Sequence, residues 1–342
     1  MGYTQEMLDK VSEKIAAPEA PLKEARVRLA LVRATANGFD GALRTYQSGS
    51  LAHHTVIDPV SDGDGGLVLD RVKHTTLGPE GKGESPSEVV SKLCGLLGPE
   101  LRKTYPSARC TTSKRGPKIS FGQPVSLPNS LETQDPYVDL VVALTRREGN
   151  GLWIPNLEKN TWEASDPEKH AELISSGTTT LVAKRRRVIR LLKAWNKQFT
   201  KPAFSSFHLT VLAHDHVEIG QSEAQALHAV FGAVTKQLEE GVSTKDPAGV
   251  SQPLKLMESR ETALVRARAA RDRVGEALAN DSDEEKVLLA LSRLFSRHIE
   301  APNSDLASKA VAALRIGAPI AATVVGVSNS GAVIPVARSY GG

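Results

Sequence analysis

The sequence predicts an α+β protein, a mixed strand-rich half followed by a helical half. Three observations predict it. The run YVDLVVAL at 137–144 is apolar and β-branched, the strongest strand in the chain, with a single acid inside it. The runs ARCTTSK and PKISF are split by Arg-Gly and read as a hairpin-like pair. From Asp166 onward the pattern turns helical and stays so. The expected divisions are a core with its N-terminal helix at 1–175, a helical domain at 176–316 and a flexible C-terminal tail at 317–342.

In chain order, the first 45 residues read as helix. APLKEARVRLALVRATANGF sets Leu29, Leu31 and Val32 at helical spacing among Arg and Lys. YQSGSLAHHT then breaks the period with Gly and Ser, DPVSDGDGG reads as a turn, and LVLDRV as a short strand. LGPEGKGESPS is a loop by composition, followed by a helix from near Ser87 to about residue 103. After the hairpin and the Asp139 strand, helices are expected at 166–176, 180–199, 205–215 and 220–240, with three more out to about 316. The last residues, rich in Gly, Ala, Ser and Val, read as a tail.

The chain has 342 residues and is 40% hydrophobic, enough for one large or two closely packed domains. A net charge of +4 permits mild attraction to phosphates and excludes a polycation that binds nucleic acid by charge alone. The two cysteines, Cys94 and Cys110, form neither C-x-x-C nor a zinc spacing, which fits a reducing cytoplasm. The start has no apolar signal core, and no apolar run is long enough to cross a bilayer. A cytoplasmic protein without a membrane partner is expected.

The chemistry concentrates in three places. Asp62 and Asp64 are one residue apart, so in extended chain both carboxylates face the same side. A shared site for hard divalent cations needs such oxygen ligands. Alone, the pair reads first as a solvated acidic turn and only second as a metal site. Upstream, Gly49 lets the backbone approach a phosphate closely, and Ser50 offers a hydroxyl and an N–H. A Gly-Ser turn opening a helix would aim N–H groups at a triphosphate. Downstream, Asp139 lies within an apolar strand, where a carboxylate is costly unless it is paired or binds metal.

Gly49-Ser50, then Asp62-x-Asp64, then an isolated strand Asp139, resembles the signature of the polymerase β-type nucleotidyltransferase superfamily. IPNLEKNTWEASDPEKH, RRRVIRLLKAWNKQF and KPAFSSFHLTVLA are similar to segments of the oligoadenylate synthase and cyclic GMP-AMP synthase-like enzymes, above all their bacterial anti-phage relatives. The resemblance covers about residues 25 to 300. It implies a polymerase β-like core with a mixed or antiparallel sheet, packed on the helical domain. It implies that Asp62, Asp64 and Asp139 hold two Mg²⁺ ions, with Mn²⁺ as an alternative, and that Asp139 helps deprotonate the attacking ribose hydroxyl. Gly49, Ser50, Lys193 and Ser206 would contact the donor phosphates. The substrates would be nucleoside triphosphates, the product a cyclic oligonucleotide sensed by a downstream effector. Where the family often carries bulky apolar residues, this chain has Gly65-Gly66, so the metal strand is expected to begin later or bend there. In some anti-phage operons a ubiquitin-transfer-like partner conjugates the synthase through its terminal Gly, and Tyr340-Gly341-Gly342 is similar to that arrangement.

Other signals read as structural. Lys184–Arg187 (KRRR) is either a solvated helix face or a nucleotide or nucleic-acid contact. His53 and His54 lie close to Ser50 and read first as polar loop residues, with approach to a phosphate as the second reading; Trp153, Trp162 and Trp195 read first as packing, with base stacking near the cleft as the second. Activation by nucleic acid is not expected, since the zinc insertion of a DNA-sensing relative is missing. Two rival readings stay open, a linear oligonucleotide or RNA-tail synthase and a catalytically inactive nucleotide-binding scaffold.

Overall fold

A computed structural model describes residues 2–79, 81, 84–128 and 130–301. The expected helix up to 316, the tail from 317 and Gly342 lie outside the described residues. Met1–Glu300 form one compact unit.

The first 45 residues are not helical throughout. Helices α1 (Tyr3–Lys14) and α2 (Glu19–Ala36) are followed by a strand, β1 (Ala42–Ser48). The short helix α3 (Gly49–His53) leads to β2 (Asp62–Leu69), and α4 (Pro86–Arg102) is entered through a capping box of Ser85 and Glu88. The hairpin is β3 (Arg109–Thr112) with β4 (Pro117–Ser120). A minor pair, β5 (Val125–Ser126) and β6 (Thr133–Gln134), precedes the long β7 (Tyr137–Thr145). A second hairpin, β8 (Leu152–Asn156) and β9 (Thr161–Ser165), follows. Then come α5 (Pro167–Ile174), α6 (Thr179–Lys197), α7 (Ser206–His216), α8 (Glu223–Glu240), α9 (Arg260–Ala279) and α10 (Glu284–Leu294).

The main sheet runs β1-β2-β7-β4-β3, with β8 added to the end of β7 and β9 beyond it. It is mixed: β2 and β7 are parallel, and the other pairs are antiparallel. Strand β7 follows the period-two rule. Val138, Leu140 and Val142 enter the core under α2 and α4, leaving Asp139 and Val141 on the other face. A second core, separate from the first, is built from α6 to α10 around Leu192, Trp195, Phe231 and Leu291. Met7, Leu8 and Val11 of α1 pack into this helical core, not into the sheet core.

Strand β2 neither begins later nor bends at Gly65-Gly66. It runs unbroken from Asp62, with Asp64 in register with Asp139 and Gly66 with Val141. The glycines are there for space. A Cβ on Gly66 would lie 2.0 Å from the Tyr46 ring of β1, so the tyrosine occupies what a bulky residue would fill.

The entry to β7 is pinned by Arg28 of α2, which is fully buried. Its guanidinium donates to Asp135 (2.5 Å), to the carbonyls of Pro136 (2.6 Å) and Gln123 (2.5 Å) and to Glu24 (3.0 Å), and stacks over Phe121. A buried charge with each of these contacts made fixes the backbone just ahead of Asp139. Three of the four KRRR side chains are tied down rather than spread on a free basic face. Lys184 donates to the Gln221 carbonyl, Arg185 to that of Ser176, and Arg187 pairs with Asp9 and Glu223, tying α6 to α1 and the start of α8.

Candidate active site

A cavity of about 500 Å³ lies between the sheet and α5, α6 and α7. Gly49, Ser50, Asp62, Asp64, Lys193 and Ser206 all line it, and Val141, two residues beyond Asp139 on the same strand face, does too.

The acids share one face of adjacent parallel strands. Asp62 and Asp64 alternate with Gly63, which turns inward against Leu51 and Leu29. Asp139 stands beside Asp64 across the strand pair. Burial first, then the charges of Asp62 and Asp139, push the Asp64 carboxyl up to about 7. Asp139 is also pushed up, chiefly by burial, against the pull of Lys118 opposite it on β4. One oxygen of Asp139 is buried without a hydrogen-bond partner.

The Gly-Ser turn opens α3 as expected, and the need for glycine is stereochemical. Gly49 has φ +63°, and a Cβ there would sit 1.9 Å from Oδ2 of Asp64. The carboxylate therefore lies directly over the turn. Ser48 at the helix start gives no side-chain cap, so the first N–H groups of α3 are not spent on one.

On the helical side, Lys193 of α6 is buried and donates to the carbonyl (3.0 Å) and hydroxyl (3.1 Å) of Thr55. An ammonium has three hydrogens, so one remains. Burial, then Lys197 one turn on, lowers its pKa to about 8, while Asp62 and Asp64 act to raise it. Ser206 is the first residue of α7, whose N-cap is Ser205. Phe207 beside it packs on His170, and His170 Nε2 meets Asp246 Oδ1 at 2.5 Å. Asp246 also accepts the N–H groups of Val250 and Ser251, fixing the loop that lends Ser251 and Leu254 to the cavity. At the far wall, Arg115 donates to Glu163, whose other oxygen takes the Asn156 amide.

Several of these residues escaped sequence reading. Lys197 was findable as the i+4 partner of Lys193 on one helix face. The His170–Asp246 contact spans 76 positions and leaves no local trace. His53 is not a loop residue. It ends α3, is buried and lines the cavity. Trp195 is core, as expected, against Phe231.

Among the described residues no three His, Cys, Asp or Glu side chains already converge as a metal cage. Mg²⁺ at a phosphate-transfer site is bound through one or two carboxylates and completed by substrate oxygens and water. Three mutually repelling carboxylates, one with an orphaned buried oxygen, fit that group.

No family model matches the chain, and no curated protein matches it. Solved structures do. CdnC of Escherichia coli MS115-1, solved with ATP, is 15% identical, with 88% of this chain and 99% of that chain covered at a TM-score of 0.60. CdnG of Bradyrhizobium diazoefficiens, a CD-NTase solved with GTP, is 13% identical over 86% and 97%, also at 0.60. The Vibrio cholerae DncV cyclic AMP-GMP synthase is 12% identical over 89% and 88%, at 0.54. The chain has the CD-NTase fold. The α+β class expected from sequence is thereby shown, in the arrangement these CD-NTases share. Among the described residues no helix is long and apolar enough to cross a membrane.

Proposed function

We propose that the chain is a nucleotidyltransferase that joins nucleoside triphosphates into a cyclic oligonucleotide. The observation that carries this reading is the triad of acids on β2 and β7, with Asp64 lying over Gly49 at one end of the cavity. The fold likeness supports triphosphate substrates, since CdnC was solved with ATP and CdnG with GTP, and DncV is a cyclic AMP-GMP synthase.

In this reading a ribose hydroxyl of one nucleotide attacks the α-phosphorus of another. The new P–O bond forms as the bond to pyrophosphate breaks. Two divalent ions, when held by Asp62, Asp64 and Asp139, supply neutralising charge to the triphosphate and the attacking oxygen. Ser50 and the first N–H groups of α3 hold phosphate oxygens, and the remaining hydrogen of Lys193 and the Ser206 hydroxyl reach the same chain. Asp139, whose basicity burial has raised, takes the proton from the hydroxyl. A second round on the linear intermediate closes the ring.

The roles of anti-phage messenger, cytoplasmic location and attachment of Gly342 to a target belong to the same proposal. With a conjugation partner present, deletion of Gly342 should abolish covalent transfer and leave synthesis intact; loss of synthesis would refute that role. The product itself is tested by incubating the full chain with all four triphosphates and Mg²⁺ and reading the mass. A cyclic product carries no terminal phosphates, whereas a product retaining a 5′-triphosphate would establish the linear reading instead.

A further inference from the structure

His53 lies three residues after Ser50, so both side chains project from one side of α3, and both line the cavity. It is only 6% exposed, and Nδ1 is buried with no hydrogen-bond partner. The other ring nitrogen makes no hydrogen bond among the described residues either. Two other buried histidines differ: His170 spends a nitrogen on Asp246 and His208 one on Thr244, at 2.8 Å. Nδ1 thus bears a desolvation penalty with no protein partner, while Nε2 keeps solvent access and is open to a ligand in the cavity that His53 lines.

The surroundings say what that partner is. Lys193, His170, Arg186 and His54 face His53, and its burial among them lowers its pKa to about 4, so the ring is neutral. A neutral imidazole always keeps one N–H to give. A cationic corner that already contains Ser50 and Lys193 favours an anionic oxygen that only accepts. We propose that His53 donates a hydrogen bond to a phosphate oxygen of the nucleotide seated against Ser50 and Lys193, and is thus a binding residue for the triphosphate chain. This rests on the nucleotide reading of the cavity.

The test uses the full chain as wild type, His53→Leu and His53→Gln. Calorimetry with Mg²⁺ gives the Kd of a non-hydrolysable ATP analogue, inorganic tripolyphosphate and adenosine, and a melt gives the apo Tm. His53→Leu should weaken the analogue and tripolyphosphate about tenfold and leave adenosine unchanged. His53→Gln, which keeps an N–H, should restore most of that loss. The apo Tm of His53→Leu should equal or exceed that of wild type, because an unsatisfied polar group has been replaced by an apolar one. Unchanged tripolyphosphate binding in His53→Leu overturns the proposal. So does a fall in adenosine affinity alone, which would mark a sugar contact, or a lowered Tm with no rescue by Gln, which would mark packing. Wild type that binds neither triphosphate probe refutes the nucleotide reading itself, a failure distinct from that of His53.

Discussion

On the sheet side, Asp62 and Asp64 line the cavity while Asp139 stands beside Asp64 on β7 without lining it, and burial raises the pKa of Asp64 and Asp139. Facing them, Lys193 of α6 and His53 of α3 are buried and Lys197 lies one turn beyond Lys193 at the exposed rim, and the pKa values of all three bases fall. Opposite charges so close would stabilise each other as ion pairs, yet Lys193 gives its bonds to Thr55 and no carboxylate closes on it. The acids raise Lys193 and Lys193 lowers Asp64, yet burial outweighs this mutual support on both walls. An apo site whose two faces stay unpaired is organised for a ligand bearing both signs, and a triphosphate with its divalent cations is one.

The comparison can be broken from either wall. The largest effect is expected at the junction of the two, where Gly49→Ala would force a Cβ into the Asp64 carboxylate from a left-handed backbone. Nucleotidyl transfer should fall on the order of 100-fold, as for the loss of a transition-state hydrogen-bond donor, measured by release of labelled pyrophosphate. Lys193→Met tests the basic wall alone. It should raise the triphosphate Kd about tenfold or more, and an unchanged Kd would remove Lys193 from the phosphate site.

Smaller effects concern stability without ligand. The Asp64 carboxyl titrates near 7 in the folded chain and in the ordinary carboxylate range when unfolded. Between those values the folded state holds more protons, so stability falls as pH rises through that window. Asp64→Asn should therefore raise the apo Tm by a few degrees at pH 8 and change it little at pH 4. His53 and His208 have the opposite linkage, with folded values near 4 below the ordinary imidazole value. The unfolded chain binds their protons first, so stability falls as pH drops from about 6.5 toward 4. Replacing either with Leu should flatten that acid limb of the Tm profile.

How much of this was readable depended on the range of the interaction. The α+β class, the hairpin, β7 and helices α5 to α8 follow from periodicity within short windows. Strand β1 was hidden because YQS runs straight into the Gly-Ser turn, and β8 and β9 because Pro155 and a tight polar turn interrupt them. The glycines at 65 and 66 misled for the same reason. Their meaning lies in Tyr46 on a neighbouring strand, which local composition cannot convey. Within the site, Gly49, Ser50, Asp62, Asp64, Lys193 and Ser206 were named from motif and resemblance, and the fold brings them to one cavity. The clamp of Arg28 on the entry to β7 is purely tertiary and had no signature.

The central claim is that the unpaired acids on β2 perform nucleotidyl transfer. It is tested most directly by following α-labelled ATP with Mg²⁺ in wild type and in the Asp62→Asn/Asp64→Asn double variant, each confirmed folded by its melt. The account expects labelled product from wild type and a loss on the order of 10³-fold in the variant. Unchanged incorporation by a folded double variant would contradict it.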